Sequence, residues 1–173
     1  MATLQVPDKG IQLTDAGEIR RFLQARGVWY ERRPAEALRT DGTDTEVLQT
    51  NDDWLKPFME QNGYRTADVI RVTPATPNLP AIRDKFLREH THSEDEVRFF
   101  VDGEGLFWFH TDTPEEEVFS VRCSAGDRLT VPANTKHWFD LGPAPMLCAI
   151  RIFTDQAGWV PHYTQSGIEQ RYL

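Results

Sequence analysis

What most constrains this chain is a series of short apolar segments that begins at Ala67, each closed by a turn signal. Residues 68–72 read as a strand ended by Pro74 and Pro77. A short helix over about 79–87 follows, with Ile82, Phe86 and Leu87 inward. Residues 96–101, 106–110, 118–122, 128–131, 138–141 and 147–153 then read as strands. Asp102-Gly103 and Gly105 predict a tight hairpin between the first two, and Ala125-Gly126-Asp127 and Gly142-Pro143 mark further turns. Many short strands at close spacing predict a mainly β fold, a sandwich or small barrel. Closing such a sheet leaves an interior that can hold a metal and one small ligand.

The first third has a different character. Asp15 with Glu18 forms a capping-box pattern, Ile19, Phe22 and Leu23 repeat at helical spacing, and Gly27 is placed to stop the helix. A strand over 28–32 follows, and then a helical stretch over about 45–62, broken near Asn51 and ended by Asn62-Gly63. Leu48, Leu55, Phe58 and Met59 are its expected buried stripe. No repeat or linker divides the chain, so one domain is expected. Residues 1–66 form a helical part packing on the barrel, 67–157 the barrel with its site, and 158–173 a polar and aromatic tail.

Bulk properties narrow the partners. The 173 residues carry a net charge of -8 and show no basic stripe, which argues against nucleic acid. No apolar run is long enough to span a bilayer, and Met1 to Gly10 lack a signal pattern, so no membrane and a cytoplasmic location are expected. Cys123 and Cys148 form no CxxC pair and read as buried apolar filler.

The chemistry is concentrated in Glu89-His90-Thr91-His92-Ser93-Glu94-Asp95-Glu96. On an extended segment His90 and His92 share one face, a bidentate imidazole pair for a first-row metal. A carboxylate nearby adds a hard anionic ligand, and strand parity allows either Glu94 or Glu96. A second stretch, Val131-Pro132-Ala133-Asn134-Thr135-Lys136-His137, ends one strand, turns, and opens the next with a histidine. Three imidazoles and one carboxylate would leave two octahedral positions open for a chelating substrate. His110 and His162 read as structural or surface histidines.

These stretches resemble the cupin motifs. His90-Thr91-His92 is followed after three residues by Glu96 and after six more by Gly103. Gly126, five residues, Pro132-Ala133-Asn134, two residues and His137 is similar to the second motif. The resemblance selects Glu96 over Glu94. Asp84 stands where a Gly usually opens the first motif, Asn134 replaces a Gly, and Leu141 replaces a trailing Asn; Asn134 can keep the positive φ of the turn.

The strings Phe86-Leu87-Arg88-Glu89-His90-Thr91-His92, Glu94-Asp95-Glu96-Val97-Arg98-Phe99-Phe100-Val101, His137-Trp138-Phe139-Asp140, Ala149-Ile150-Arg151-Ile152-Phe153 and Gly158-Trp159 further resemble the acireductone dioxygenase family, over roughly residues 63–160. The resemblance implies a cupin-type, jelly-roll-like β-barrel and an enzyme of methionine salvage. Its substrates would be dioxygen and the acireductone 1,2-dihydroxy-3-keto-5-methylthiopentene. With Fe(II) the products would be formate and 4-methylthio-2-oxobutanoate; with Ni(II), formate, carbon monoxide and 3-methylthiopropanoate. It implies metal ligation by His90, His92, Glu96 and His137, a set that equally suits Co or Mn. One ligand set per chain makes a monomer sufficient.

Arg98, two residues past Glu96, is the candidate for stabilising substrate charge, with a structural salt bridge as the alternative. Arg151, Phe86, Trp138 and Phe153 are candidate substrate contacts, and Glu89 and Glu94 candidate partners of histidine N–H groups. The competing functions are another metal-dependent cupin enzyme and a ligand-binding cupin without turnover.

Overall fold

The computed structural model describes residues 2–33, 42–155 and 159–172. Eleven strands and four α-helices are formed among them. In chain order these are β1 (Thr3–Val6), β2 (Ile11–Leu13), α1 (Ala16–Gln24), β3 (Trp29–Arg32), α2 (Asp44–Thr50), α3 (Asp52–Asn62), β4 (Thr66–Val72), α4 (Leu79–Leu87), β5 (His90–Thr91), β6 (Glu96–His110), β7 (Val118–Ser124), β8 (Asp127–Val131), β9 (His137–Asp140), β10 (Leu147–Phe153) and β11 (His162–Tyr163).

Every described strand pair is antiparallel, and β6 organises them. Its first half lies between β8 and β10, which extend to β3 and β4. Its second half lies between β9 and β7, which extend to β5 and β11 on one side and to β1 and β2 on the other. Phe100, Phe107, Phe109, Phe119, Leu129 and Ala149 from both halves meet in one buried cluster. The two half-sheets that share β6 enclose one apolar core, the barrel-like arrangement that the strand spacing predicts.

The expected hairpin at Asp102-Gly103 and Gly105 is absent, because β6 runs through those residues as one strand. Cys148 pairs with Asp102 while Ala149 pairs with Phe100, so Val101 is an extra residue, a β-bulge. The bulge reverses the alternation. Glu96, Arg98 and Phe100 share one parity before it; Phe107 and Phe109, of the opposite parity, join Phe100 in the same cluster after it. Gly103 adopts φ +73°, and a Cβ there would run into the Met146 carbonyl oxygen. The glycine therefore serves a bend between half-sheets and not a reversal of the chain.

Both faces of β6 are covered, so its apolar residues run without alternation over residues 99–101 and 106–109. Val97, Phe99 and Val101 pack under Val47, Trp54 and Leu55 of α2 and α3. Of the expected helical stripe Leu55 is buried, while Leu48, Phe58 and Met59 are half-covered around Val47 and Trp54. Trp108 and Trp138 are covered by Ile168 and Tyr172 of the tail. The first third is less helical than expected. β1 and β2 add an edge to the barrel, and Leu4 and Val6 are buried in the core.

Several local expectations hold. Asp15 caps α1 by accepting from Glu18 N at 2.9 Å, a contact worth about 1 kcal/mol. The helical stretch breaks at Asn51. Asn134 takes φ 64°, as its turn requires. Both cysteines are buried and free. Among the described residues no helix is long and apolar enough to cross a membrane.

Candidate metal centre

Three backbone segments deliver three histidines to one place. β5 carries His90, and the antiparallel pairing of β5 with β9 sets His90 directly opposite His137. His92 follows β5 on the segment leading into β6. The ring centroids of His90 and His137 are 4.5 Å apart, of His90 and His92 4.9 Å, and of His92 and His137 5.3 Å. One ring nitrogen from each lies within 4.8 Å of the others, and all three residues are buried.

The inner nitrogens are chosen by what holds the outer ones. Nδ1 of His90 lies 2.7 Å from the Arg88 carbonyl oxygen, and Nδ1 of His137 2.8 Å from that of Thr135. Nδ1 of His92 lies 3.3 Å from the Val160 carbonyl oxygen. A carbonyl can only accept, so each Nδ1 carries a proton; Nε2 of His90 and of His92 then offers a lone pair, and Nε2 of His137 faces the Glu96 carboxylate. Burial, reinforced by the neighbouring His137, pushes His90 down to about 4; burial also lowers His92. Both imidazoles are therefore neutral near pH 7, as metal ligation requires.

Glu96 opens β6 with its carboxylate against the imidazoles. Oε2 lies 2.7 Å from His137 Nε2 and 3.5 Å from His92 Nε2. Oε1 accepts from Arg98 Nη2 at 2.9 Å. Burial would raise this carboxyl, but the Arg98 guanidinium and the His137 hydrogen bond prevail and hold it well below the usual range. Arg98 is only 1% exposed, and its burial opposes the charged form despite the Glu96 partner. An arginine stays protonated nonetheless.

A narrow cavity of about 50 Å³ opens on His90, His92, Glu96 and Arg98, walled by Phe86, Trp159 and Arg151. Two of its donors, Arg98 Nε and Trp159 Nε1, are buried with no partner among the described residues. Arg151 pairs across strands with Arg98, and Asp68 on β4 takes up its charge through two hydrogen bonds of 2.8 and 2.6 Å. Larger clefts lie elsewhere, one of about 410 Å³ beside Gly103 and Gly142, and no imidazole lines it. Converging donors mark the site here, not volume.

Some expectations need correction. Trp138 does not reach the cavity: strand alternation turns it away from His137, and it stacks on Trp108 at 5.6 Å and 7°. Phe153 lies behind Trp159 at 5.6 Å rather than at the cavity wall. The partners of the inner histidines are backbone carbonyls and not Glu89 or Glu94. Glu89 instead binds His110 Nδ1 at 2.7 Å and the Thr164 and Ser166 hydroxyls, tying the tail to the barrel. His110 is thus structural, and His162 is exposed. Trp159 and Lys85 line the cavity although residue type singled out neither. The Gly158-Trp159 string of the family resemblance is the sequence signal for Trp159; Gly158 itself lies outside the described residues.

Neutral imidazoles beside a depressed carboxylate, inside an antiparallel barrel, define a metal-binding site of cupin type. The family model described as "ARD/ARD' family" matches residues 17–161. "Acireductone dioxygenase" from Picosynechococcus sp. is 51% identical, over 99% of this chain and 97% of that protein. The protein of the same name from Alcanivorax borkumensis is 45% identical over 92% of this chain and 87% of its own. A solved structure described as acireductone dioxygenase from Bacillus anthracis with cadmium ion in active center superimposes with a TM-score of 0.87 at 32% identity, covering 94% of this chain and 98% of that one. The chain belongs to the acireductone dioxygenase family.

Proposed function

We propose that this chain cleaves the acireductone 1,2-dihydroxy-3-keto-5-methylthiopentene with dioxygen, holding one divalent metal through His90, His92, His137 and Glu96. The observation that carries this reading is the convergence of three buried imidazoles and one carboxylate beside a cavity whose Arg98 and Trp159 walls hold donors with no partner among the described residues. The donor set fits the group: neutral nitrogens and one hard oxygen suit Fe(II) and Ni(II), and Co or Mn as well. When bound, the metal supplies Lewis acidity toward the two oxygens of the ene-diol.

The chain's own residues do the rest. Arg98 places a buried positive charge at the cavity wall, where it favours the ionised ene-diol over its protonated form. Its Nη2 is committed to Glu96 and its Nε has no partner among the described residues, so the guanidinium keeps donor capacity for substrate. Trp159 Nε1 is a second donor without a partner among the described residues. Arg151 is held by Asp68 and reaches the same cavity, where it is a further donor for a substrate oxygen. Phe86 and the Trp159 ring offer apolar wall to the methylthio end. The closed, mostly buried surround keeps water from the reactive diol.

The proposed products are formate and 4-methylthio-2-oxobutanoate with Fe(II), and formate, carbon monoxide and 3-methylthiopropanoate with Ni(II). The proposed setting is methionine salvage in the cytoplasm, by a monomeric single-domain chain. The test is loss of acireductone under oxygen by the metal-loaded chain and by His137→Ala. The wild type should turn over only with metal, and the variant should keep its fold but neither retain metal nor turn over. A metal-replete wild type that leaves acireductone at the background rate would refute the proposal.

A further inference from the structure

His92 and Glu96 flank Ser93, Glu94 and Asp95, which lie outside any strand. His137 arrives by a separate route, the turn between β8 and β9. The spacing of these two segments therefore governs how far His137 stands from His92 and Glu96. Two hydrogen bonds join them: Asn134 N donates to the His92 carbonyl oxygen at 2.8 Å, and Ala133 N donates to Asp95 Oδ1 at 3.0 Å.

The second oxygen of that carboxylate is also engaged. Asp95 Oδ2 accepts from the Tyr64 hydroxyl at 2.9 Å. Burial and the Asp95 carboxylate both push the Tyr64 phenol up, so it stays protonated and donates. Tyr64 is itself fixed, stacked on Phe58 at 5.6 Å just after the end of α3. Asp95 thus ties together the segment carrying two site residues, the turn delivering the third, and the helical layer. Both of its oxygens are taken, by the Tyr64 hydroxyl and the Ala133 N–H, and it is not among the residues lining the cavity.

We propose that Asp95 is a positioning residue of the metal centre, its carboxylate setting the separation of His92 and Glu96 from His137 through Ala133 and Tyr64. This rests on the reading of those residues as metal ligands. A charge-assisted hydrogen bond to a backbone N–H is roughly twice as strong as a neutral one, which suits it to hold two irregular segments in register. Groups that orient ligands from outside the coordination sphere typically change metal affinity by about 10–100-fold when removed.

The experiment titrates Co(II) into metal-free full-length wild type, Asp95→Ala, Asp95→Asn and Tyr64→Phe against a chromophoric chelator, and reads the visible bands of bound cobalt. Asp95→Ala should weaken cobalt binding about 10–100-fold and shift the bands. Asp95→Asn, which keeps an acceptor for Ala133 N, should restore much of the affinity, and Tyr64→Phe should show a smaller loss with the same band shift. A merely structural role would lower the melting temperature and leave the bands of bound cobalt unmoved. Wild-type affinity and bands in Asp95→Ala would overturn the proposal. If Asp95→Ala fails to fold, Tyr64→Phe decides: it removes one partner and keeps the ring packing, and wild-type behaviour there overturns the proposal. A wild type that takes up no cobalt overturns the ligand assignment itself, and the role of Asp95 with it.

Discussion

Replacing Arg98 by Met removes a buried cation while keeping most of the aliphatic volume. In the metal-free protein Glu96 would lose the group that most offsets the cost of its burial. Its 2.7 Å contact to His137 would remain, and the Arg98 desolvation cost would be relieved. The first loss outweighs the relief, because removing one member of a buried pair leaves the other charge uncompensated, at about 3–5 kcal/mol. A chain of this size loses roughly 2–4 °C in Tm per kcal/mol, so Tm should fall by about 6–20 °C. A divalent cation beside Glu96 replaces the missing charge, and the difference should shrink to less than half in nickel-loaded protein. Scanning calorimetry of both forms reads the effect directly. A metal-free variant within about 2 °C of wild type, or an equal difference with and without metal, would refute this electrostatic reasoning.

Glu117 is buried between Arg26 and Lys9, at 2.6 and 2.7 Å, and the Arg26 hydrogen bond leads in holding its carboxyl below the ordinary value. Its folded-state value is depressed, so its stabilisation is complete above about pH 4.3 and is lost as pH falls through the folded value. Glu117→Gln should therefore flatten the acid limb of stability in urea titrations from pH 6 downward, and an unchanged limb would exclude the ion pair as a cause. Gly103→Ala should destabilise by more than ~2 kcal/mol, from positive φ and the clash with Met146; a wild-type denaturation midpoint would contradict the bend at Gly103. Trp138→Phe should lower Tm while leaving kcat and KM unchanged, because Trp138 faces Trp108 and the tail; a changed KM would place it at the cavity after all.

The metal centre was more legible in the sequence than the barrel around it. His90, His92 and His137 are chemically distinctive, and their spacing survives as cross-strand pairing and a short turn. Glu96 was harder. Parity from the histidines could not separate it from Glu94, because residues 93–95 are not a strand and the parity argument has no regular backbone to run on. The family resemblance, not periodicity, made that choice. The hairpin at Gly103 failed because Asp-Gly signals positive φ, and a bend inside a long strand, two residues past the bulge at Val101, uses positive φ as a turn does. Trp138 failed because an aromatic next to a site residue on a strand belongs to the other face. The Arg88, Thr135 and Val160 carbonyls that orient the histidines were invisible, since no side chain records where a backbone oxygen will point.

The most direct test strips the protein of metal, reloads it anaerobically with Fe(II) or Ni(II), adds acireductone and oxygen, and identifies the products. Formate with 4-methylthio-2-oxobutanoate from the iron form, and carbon monoxide with 3-methylthiopropanoate from the nickel form, is the expected result. No turnover in either form, despite one metal bound per chain, would keep the four-residue site and contradict the substrate.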